Sequence, residues 1–168
     1  AFVPAEGMEL LSADYSQIEL RVLAHLSRDP ELVDAYVRGD DVHARTATAL
    51  FGVPKEAVTR EQRGQAKTVN FAVIYGQTEF ALARNLKIDR KEARRYIEAF
   101  FARYAGVKRF MDEVVAEADA TGYVTTLFGR RRAVADIRST NQNLRAAAER
   151  IARNTPIQGT AADILKRA

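Results

Sequence analysis

The stretch that decides the fold is Arg63-Gly64-Gln65-Ala66-Lys67-Thr68-Val69-Asn70-Phe71-Ala72-Val73-Ile74-Tyr75-Gly76. Thr59 and Gln62 lie just before this stretch and have the spacing of a helix capping box. Gly76, at its other end, is a typical helix end. The pattern therefore predicts one helix over about residues 60–75. Because a helix turns about 100° per residue, side chains three and four positions apart share a face. The residues that recur with this spacing are Arg63, Lys67, Asn70, Phe71 and Ile74.

This face is unlike a core-facing stripe because it combines two cations with an aromatic ring. Arg63 and Lys67 lie one turn apart and suit a polyphosphate. A guanidinium group can donate two parallel hydrogen bonds to one oxyanion, and an ammonium group acts as a point charge. Phe71, one turn further, offers a flat surface to a sugar or base. The alternative is an amphipathic helix whose basic side chains are solvated, because exposed Lys and Arg are common on helices.

Upstream, Leu10-Leu11-Ser12-Ala13 predicts a short buried strand, and the helical spacing of Ile18, Val22 and Leu26 predicts a helix after it. Asp14 lies between the two, where a carboxylate on rigid backbone can hold Mg²⁺, which prefers one or two protein carboxylates. The alternative is a turn aspartate. Ser16 and Glu19 also fit a capping box for the following helix.

After Asp14, capping residues, glycine and proline mark the ends of further predicted helices. They cover Asp29–Gly39, Asp41–Gly52, Asp89 to about Gly106, Val107–Thr121 and about Asn143–Asn154, with Pro156 as an interruption and Thr160 as the cap of a last helix. Alternating β-branched residues predict a hairpin from Tyr123–Phe128 and Arg130–Val134, turning at Gly129. The fold class expected is α+β, mostly helical with one short strand and one hairpin.

Composition limits the possible functions. The 168 residues fit one domain, and 47% hydrophobic residues can form a core. With no cysteine and two isolated histidines, His25 and His43, thiolate or histidine-rich metal sites are excluded, so a bound metal would be an oxygen-liganded ion. No stretch approaches the roughly 20 apolar residues of a membrane span, which favours a cytoplasmic protein without a membrane partner.

The net charge of +4 is unevenly distributed. Between Phe128 and Arg153 there are seven arginines and two acidic residues, a balance of +5, so the remainder of the chain carries −1. Clustered arginine is typical of a surface that binds a phosphate backbone. The alternative is a solvated arginine-rich face.

Several motifs together resemble family A DNA polymerases, the bacterial DNA polymerase I type. Asp14-Tyr15-Ser16-Gln17-Ile18-Glu19-Leu20-Arg21 resembles motif A, and the stretch from Arg63 to Gly76 resembles motif B, with Gly64 and Ala72 in place of the usual arginine and glycine. Asp41-Val42-His43 and Gln158-Gly159-Thr160-Ala161-Ala162-Asp163 also match in type and order. The resemblance implies a single fragment of the polymerase domain. Its parts would be a palm strand and helix at 1–28, fingers at 29–140 with the motif B helix at 60–75, and the start of the returning palm helices at 141–168, ending before motif C.

The resemblance implies template-directed addition of deoxynucleoside triphosphates to a primer 3′ end in DNA replication and repair. Asp14 would bind two Mg²⁺ ions with help from the Tyr15 carbonyl, in the manner of two-metal nucleotidyl transfer. Arg63, Lys67 and His43 would contact the triphosphate. Lys67 would also act as a general acid toward the leaving pyrophosphate.

Selection of the nucleotide and of the primer would fall to other residues. By resemblance, Glu19 is a steric gate against a ribose 2′ hydroxyl, with Tyr75 supporting it, and Phe71 senses the 3′ hydroxyl. Arg150, Asn154 and Gln158 would hold the primer terminus and the template strand of primer-template DNA.

Without motif C, which supplies a second metal-binding carboxylate, we expect this chain alone not to extend primers. It would need the remainder of a polymerase chain, and its unpaired palm strand could also lead to self-association. The alternative function is a non-catalytic nucleotide or nucleic-acid binding module on the polymerase scaffold. A single-subunit RNA polymerase is disfavoured by Glu19.

Overall fold

A computed structural model describes residues 2–168 as a mostly helical chain with one β-hairpin, which confirms the α+β class. The helices of the described residues are α1 (Ile18–Ser27), α2 (Pro30–Val37), α3 (Val42–Phe51), α4 (Arg60–Ile74), α5 (Glu79–Leu86), α6 (Arg90–Arg103), α7 (Ala105–Thr121) and α8 (Gln142–Arg167). Short 3₁₀ turns lie at Lys55–Ala57 and Ala135–Arg138. The hairpin pairs β1 (Tyr123–Thr125) with β2 (Arg131–Ala133), Val124 lying opposite Arg132.

Side-chain caps begin the helices where the sequence predicted them. Asp29 accepts a hydrogen bond from the Leu32 amide at 3.0 Å. Thr59 and Gln62 form the predicted reciprocal capping box at the beginning of α4, with N···O distances of 3.1 and 3.0 Å. Because these bonds satisfy amides that have no partner inside the helix, they define the boundary from local sequence alone.

The strand expected at Leu10–Ala13 is not formed. The backbone there is irregular, and Leu10 and Leu11 are 63% and 93% exposed. A strand needs a neighbour to pair its backbone groups, and residues 2–168 place none beside this run.

The capping box expected at Ser16 and Glu19 is also absent, so that alternative reading of Glu19 is wrong. The residue before α1 is Gln17, which has a left-handed φ of +55° and makes no side-chain cap. The Tyr36 hydroxyl donates to Gln17 Oε1 at 3.1 Å and so helps to hold this conformation. The Glu19 side chain is therefore not engaged at the helix end.

Three helix predictions were incomplete. The sequence missed α5, and the helix expected to reach Gly106 stops at Arg103, after which α7 begins at Ala105. The helix expected to break near Pro156 continues to Arg167, and Thr160 is buried within it instead of capping a new one. A proline inside a helix costs about 3 kcal/mol, and tertiary packing offsets this because α8 buries residues on both sides of Pro156.

The main core surrounds α4. This helix buries Ala66, Val69, Asn70, Ala72, Val73 and Ile74. The burial of Asn70 and Ile74 shows that the face predicted to avoid the core is only partly exposed: its outer edge carries Arg63, Lys67 and Phe71. A second core joins α7, the hairpin and α8. Within residues 2–168, no helix combines the length and the apolar composition required to cross a membrane.

Candidate functional site

Asp41 connects α3 to the beginning of α4. Its carboxylate accepts hydrogen bonds from the amides of His43 and Ala44, at 2.9 and 3.2 Å, and caps α3. The other oxygen accepts from Arg63 Nε at 2.5 Å. Burial opposes ionisation of Asp41, but the bonds from Arg63 and from the two amides outweigh it and hold its pKa below the ordinary value. Asp41 thus holds the Arg63 side chain and also caps α3, the helix that carries His43.

His43 is buried, with 2% of its surface exposed, and lies against α4. Its Nδ1 atom is 2.8 Å from the side-chain nitrogen of Asn70. Burial lowers the pKa of His43, and the nearby cations Arg63 and Lys67 lower it further, against the opposing field of Asp41. The ring is therefore neutral at pH 7.

An aromatic row continues from His43 along α4. The rings of His43 and Phe71 have centroids 6.2 Å apart, and Phe71 stacks on Tyr75 at 6.0 Å with 19° between the ring planes. The Tyr75 hydroxyl donates to Glu19 Oε2 at 2.7 Å. Burial first, and the bond to Glu19 second, raise the pKa of Tyr75 to about 12. The hydroxyl therefore keeps its proton at neutral pH and holds the Glu19 carboxylate by this hydrogen bond.

These side chains line a cleft of about 280 Å³ between α1 and α4. Its lining includes Tyr15, Glu19, Phe71 and Tyr75. A fixed carboxylate, a phenol and stacked rings in one small cleft suit a flat or sugar-sized group with hydroxyls, because apolar walls with few placed polar groups are typical of ligand sites.

The last helix meets the end of α4. The Asn154 side-chain amide donates to the Tyr75 carbonyl at 3.4 Å, and its own Oδ1 is buried without a partner among residues 2–168. Arg150 covers Gly76, where an added Cβ would lie 3.1 Å from Arg150 Cγ. Gln158 is exposed on the same helix. The structure therefore brings Arg150 and Asn154 to the Tyr75 end of the cleft.

Asp14 and Lys67 are not held by neighbours in this way. Asp14 lies exposed in the irregular segment before α1, next to Tyr15. Lys67 is exposed on α4 and forms no ion pair within the described part of the chain. No three His, Asp or Glu side chains converge as a metal site in residues 2–168. Among the proposed groups, Tyr15, Glu19, Phe71 and Tyr75 line one cleft, whereas Asp14 and Lys67 do not line it.

With this geometry established, comparison with known proteins identifies the family. The model of DNA polymerase family A matches residues 1–168. The chain belongs to DNA polymerase family A. The DNA polymerase I of Geobacillus stearothermophilus is 56% identical over 169 residues, covering 100% of this chain and 19% of that protein. That of Pseudomonas aeruginosa is 53% identical over 168 residues, covering 100% and 18%.

A solved structure of the same family has a similar fold. It is described as the POL domain of Pol1 from M. smegmatis in complex with DNA primer-template and dNTP, and it is 45% identical with a TM-score of 0.85. The match covers 91% of this chain and 27% of that one. The chain thus spans about a fifth of the length of the two curated family A relatives.

Two residues of this family A chain matter in the structure but were not predicted as site residues. Asp41 was visible as a helix cap, but its bond to Arg63 joins residues 22 positions apart and has no local signal. Asn70 was visible on the predicted face of α4, and a buried amide there signals a specific partner because buried polar groups are hydrogen-bonded. Its partner, His43, could be found only in three dimensions.

Proposed function

We propose that this chain is the nucleotide-selecting part of a DNA-directed DNA polymerase that adds deoxynucleotides to a primer 3′ end in replication and repair. The observation that carries the proposal is the cleft in which Tyr75 fixes Glu19 at 2.7 Å beside the ring of Phe71. Family membership and the similarity to a POL domain described with primer-template and dNTP support it. The proposed parts are those of the sequence prediction: palm at 1–28, fingers at 29–140 and returning palm at 141–168, in a cytoplasmic enzyme.

Deoxy selectivity follows from the fixed carboxylate. A sugar that stacks against Phe71 would bring its 2′ position toward Glu19, which Tyr75 prevents from turning away. A ribose hydroxyl would then meet a filled, anionic position, whereas deoxyribose would not. Phenylalanine at position 71 would sense the 3′ hydroxyl by contact alone, so dideoxynucleotides would be poor substrates.

The triphosphate would bind along the outer edge of α4. Arg63 and Lys67 supply two cations one turn apart, and His43 adds a neutral donor from α3. Arg63 would exchange the Asp41 carboxylate for phosphate oxygens, because both are oxyanions of matching geometry. Lys67, which has no competing ion pair in residues 2–168, would protonate the leaving pyrophosphate.

Asp14 and the Tyr15 carbonyl would hold Mg²⁺. One carboxylate and one carbonyl fit Mg²⁺, which takes its remaining ligands from phosphate and water, but they do not by themselves make two complete sites. Bound Mg²⁺ would supply positive charge to the attacking and leaving oxygens. Asp14 lies exposed in the segment that leads into α1, next to the cleft residue Tyr15.

Primer-template DNA would contact α8 and the arginine-rich segment before it. Arg150 and Asn154 lie at the Tyr75 end of the cleft, and Gln158 is exposed one turn further. The contact between α8 and the end of α4 would place the primer terminus beside the bound nucleotide.

The test is a chimera in which this chain replaces the matching residues of the Geobacillus stearothermophilus DNA polymerase I. We expect Mg²⁺-dependent primer extension with deoxynucleotides, and we expect Glu19→Ala to increase ribonucleotide incorporation. Glu98→Ala is the matched control, because Glu98 is exposed on α6 and forms no ion pair in the described chain.

A folded chimera that binds primer-template and dATP without extension would favour the non-catalytic binding module. Unchanged ribonucleotide incorporation by the Glu19 variant would remove the steric-gate role.

A further inference from the structure

The buried amide of Asn70 contacts one nitrogen of the His43 ring. Asn70 is 0% exposed, and its Nδ2 atom lies 2.8 Å from His43 Nδ1. The amide nitrogen is a donor and cannot accept. In this orientation of the amide, His43 Nδ1 is the acceptor and carries no proton.

The other ring nitrogen then carries the proton. Burial and the cations Arg63 and Lys67 keep the ring neutral, and a neutral imidazole without hydrogen on Nδ1 has it on Nε2. His43 Nε2 has no hydrogen-bond partner in the described residues, yet it is not among the fully buried atoms that lack one. With 2% of His43 exposed, Nε2–H is therefore a donor without a partner in residues 2–168 that keeps some access to solvent.

The opposite orientation of the Asn70 amide is less favourable. Turning it would let Oδ1 accept from Nδ1–H, but it would leave the NH₂ group, with two donors, in the interior. The observed orientation leaves only Oδ1 without a partner in residues 2–168. One unpaired carbonyl is more common in folded proteins than an unpaired N–H group.

We propose that Asn70 is a positioning residue that fixes His43 as the Nε2–H tautomer, so that a neutral ring always offers a donor to a nucleotide phosphate. The ligand in this statement rests on the proposed function, whereas the tautomer does not. Because Asn70 Nδ2 already occupies the Nδ1 side, binding a phosphate at Nε2 cannot convert the ring to imidazolium without breaking that bond. His43 therefore contributes a hydrogen bond and not a titrating charge.

The charged groups that act on the ring come from two elements. Asp41, at the beginning of α3, favours protonation, and Arg63 and Lys67 on α4 oppose it. None of the three bonds to the ring itself. The side chain at position 70 is thus the one direct hydrogen-bonding contact of the ring in the described chain, and changing it should change the tautomer.

The first experiment is ¹⁵N-histidine NMR of this chain from pH 7.0 to 8.5. Exposed His25 is an internal reference, and His25→Gln assigns the signals, because the sequence has two histidines. We expect His43 to show protonated Nε2 and unprotonated Nδ1 at every pH in this range. A His43 ring that carries a proton on Nδ1 anywhere in this range would overturn the proposal.

Asn70→Asp gives the opposite result if the proposal is correct. A carboxylate at this position accepts from Nδ1–H and stabilises imidazolium, so His43 should become protonated on both nitrogens at pH 7. Asn85→Asp adds the same charge at an exposed site on α5 and should leave His43 unchanged. Circular dichroism verifies that each variant is folded, and an unchanged His43 spectrum in folded Asn70→Asp counts against the proposal.

The second experiment measures proton uptake on dATP binding at pH 8 with Mg²⁺, by calorimetry in buffers of different ionisation enthalpy. The wild-type chain should take up no proton at His43, whereas Asn70→Asp should take up as much as one more per dATP. Equal uptake by an Asn70→Asp chain that binds dATP, and whose His43 is neutral at pH 8 before dATP is added, would overturn the proposal. Absence of dATP binding by the wild type would instead count against the proposed function, and the NMR result would still decide the tautomer.

Discussion

Tyr75→Phe removes one hydroxyl and keeps the ring that stacks on Phe71. The lost contact is the 2.7 Å bond from the Tyr75 hydroxyl to Glu19 Oε2. A hydrogen bond to a charged group contributes about 1.5–3 kcal/mol when it is well shielded from water. Both side chains are partly exposed, so solvent screening reduces the expected value to about 1 kcal/mol.

The assay is a double-mutant cycle on the free energy of unfolding in urea, with Tyr75→Phe, Glu19→Ala and the double variant. The coupling energy should be about 1 kcal/mol, since neither single change creates a new contact by design. Tyr123→Phe is the control, because the Tyr123 hydroxyl makes no hydrogen bond in residues 2–168. A coupling energy below about 0.3 kcal/mol, the scatter of independent sites, would refute the view that Tyr75 fixes Glu19.

Three further predictions concern pH and two helix glycines. Because the pKa of Tyr75 is raised from 10.0 to about 12, its contribution to stability is complete below pH 10 and is lost between pH 10 and 12. Chemical unfolding over this range should show a smaller loss of unfolding free energy for Tyr75→Phe than for wild type. Equal losses in the two proteins would contradict this prediction. Gly64→Ala should stabilise the chain by about 1 kcal/mol of helix propensity, since an added Cβ meets no atom within 4 Å. Gly159→Ala should destabilise the chain by about 1–3 kcal/mol through overpacking, because the added Cβ would lie 2.6 Å from Thr126 Cγ2. Thermal unfolding measures the stability of both glycine variants. A Gly159→Ala chain at least as stable as wild type would exclude this steric argument.

The helix boundaries most accessible to sequence were those with a side-chain cap. Asp29, Asp41, Thr59 and Asp89 each accept an amide hydrogen bond at the helix beginning that the sequence predicted. These bonds span two or three residues, so the information is local. The motif that signalled α4 therefore also defined its beginning and its basic edge.

Other boundaries depended on contacts that no local pattern encodes. Pro156 lies within α8 because residues before and after it are buried. Leu10–Ala13 has the composition of a strand but no strand beside it in the described chain. Ser16 and Glu19 have the spacing of a capping box, but the left-handed Gln17 separates them. In each case, packing or its absence outweighed local propensity.

The candidate site divides in the same way. Sequence by itself determined the family, the helix that carries Arg63, Lys67 and Phe71, and Glu19 as a chemical candidate, because motif residues at helical spacing share a face. Tertiary structure alone decided which of these groups are fixed and by what. Tyr75 bonds to Glu19 across 56 residues and Asn70 to His43 across 27. Such bonds arise only when the core brings α1, α3 and α4 together, and they set the orientation, the tautomer and the pKa of groups whose identity the sequence had already supplied.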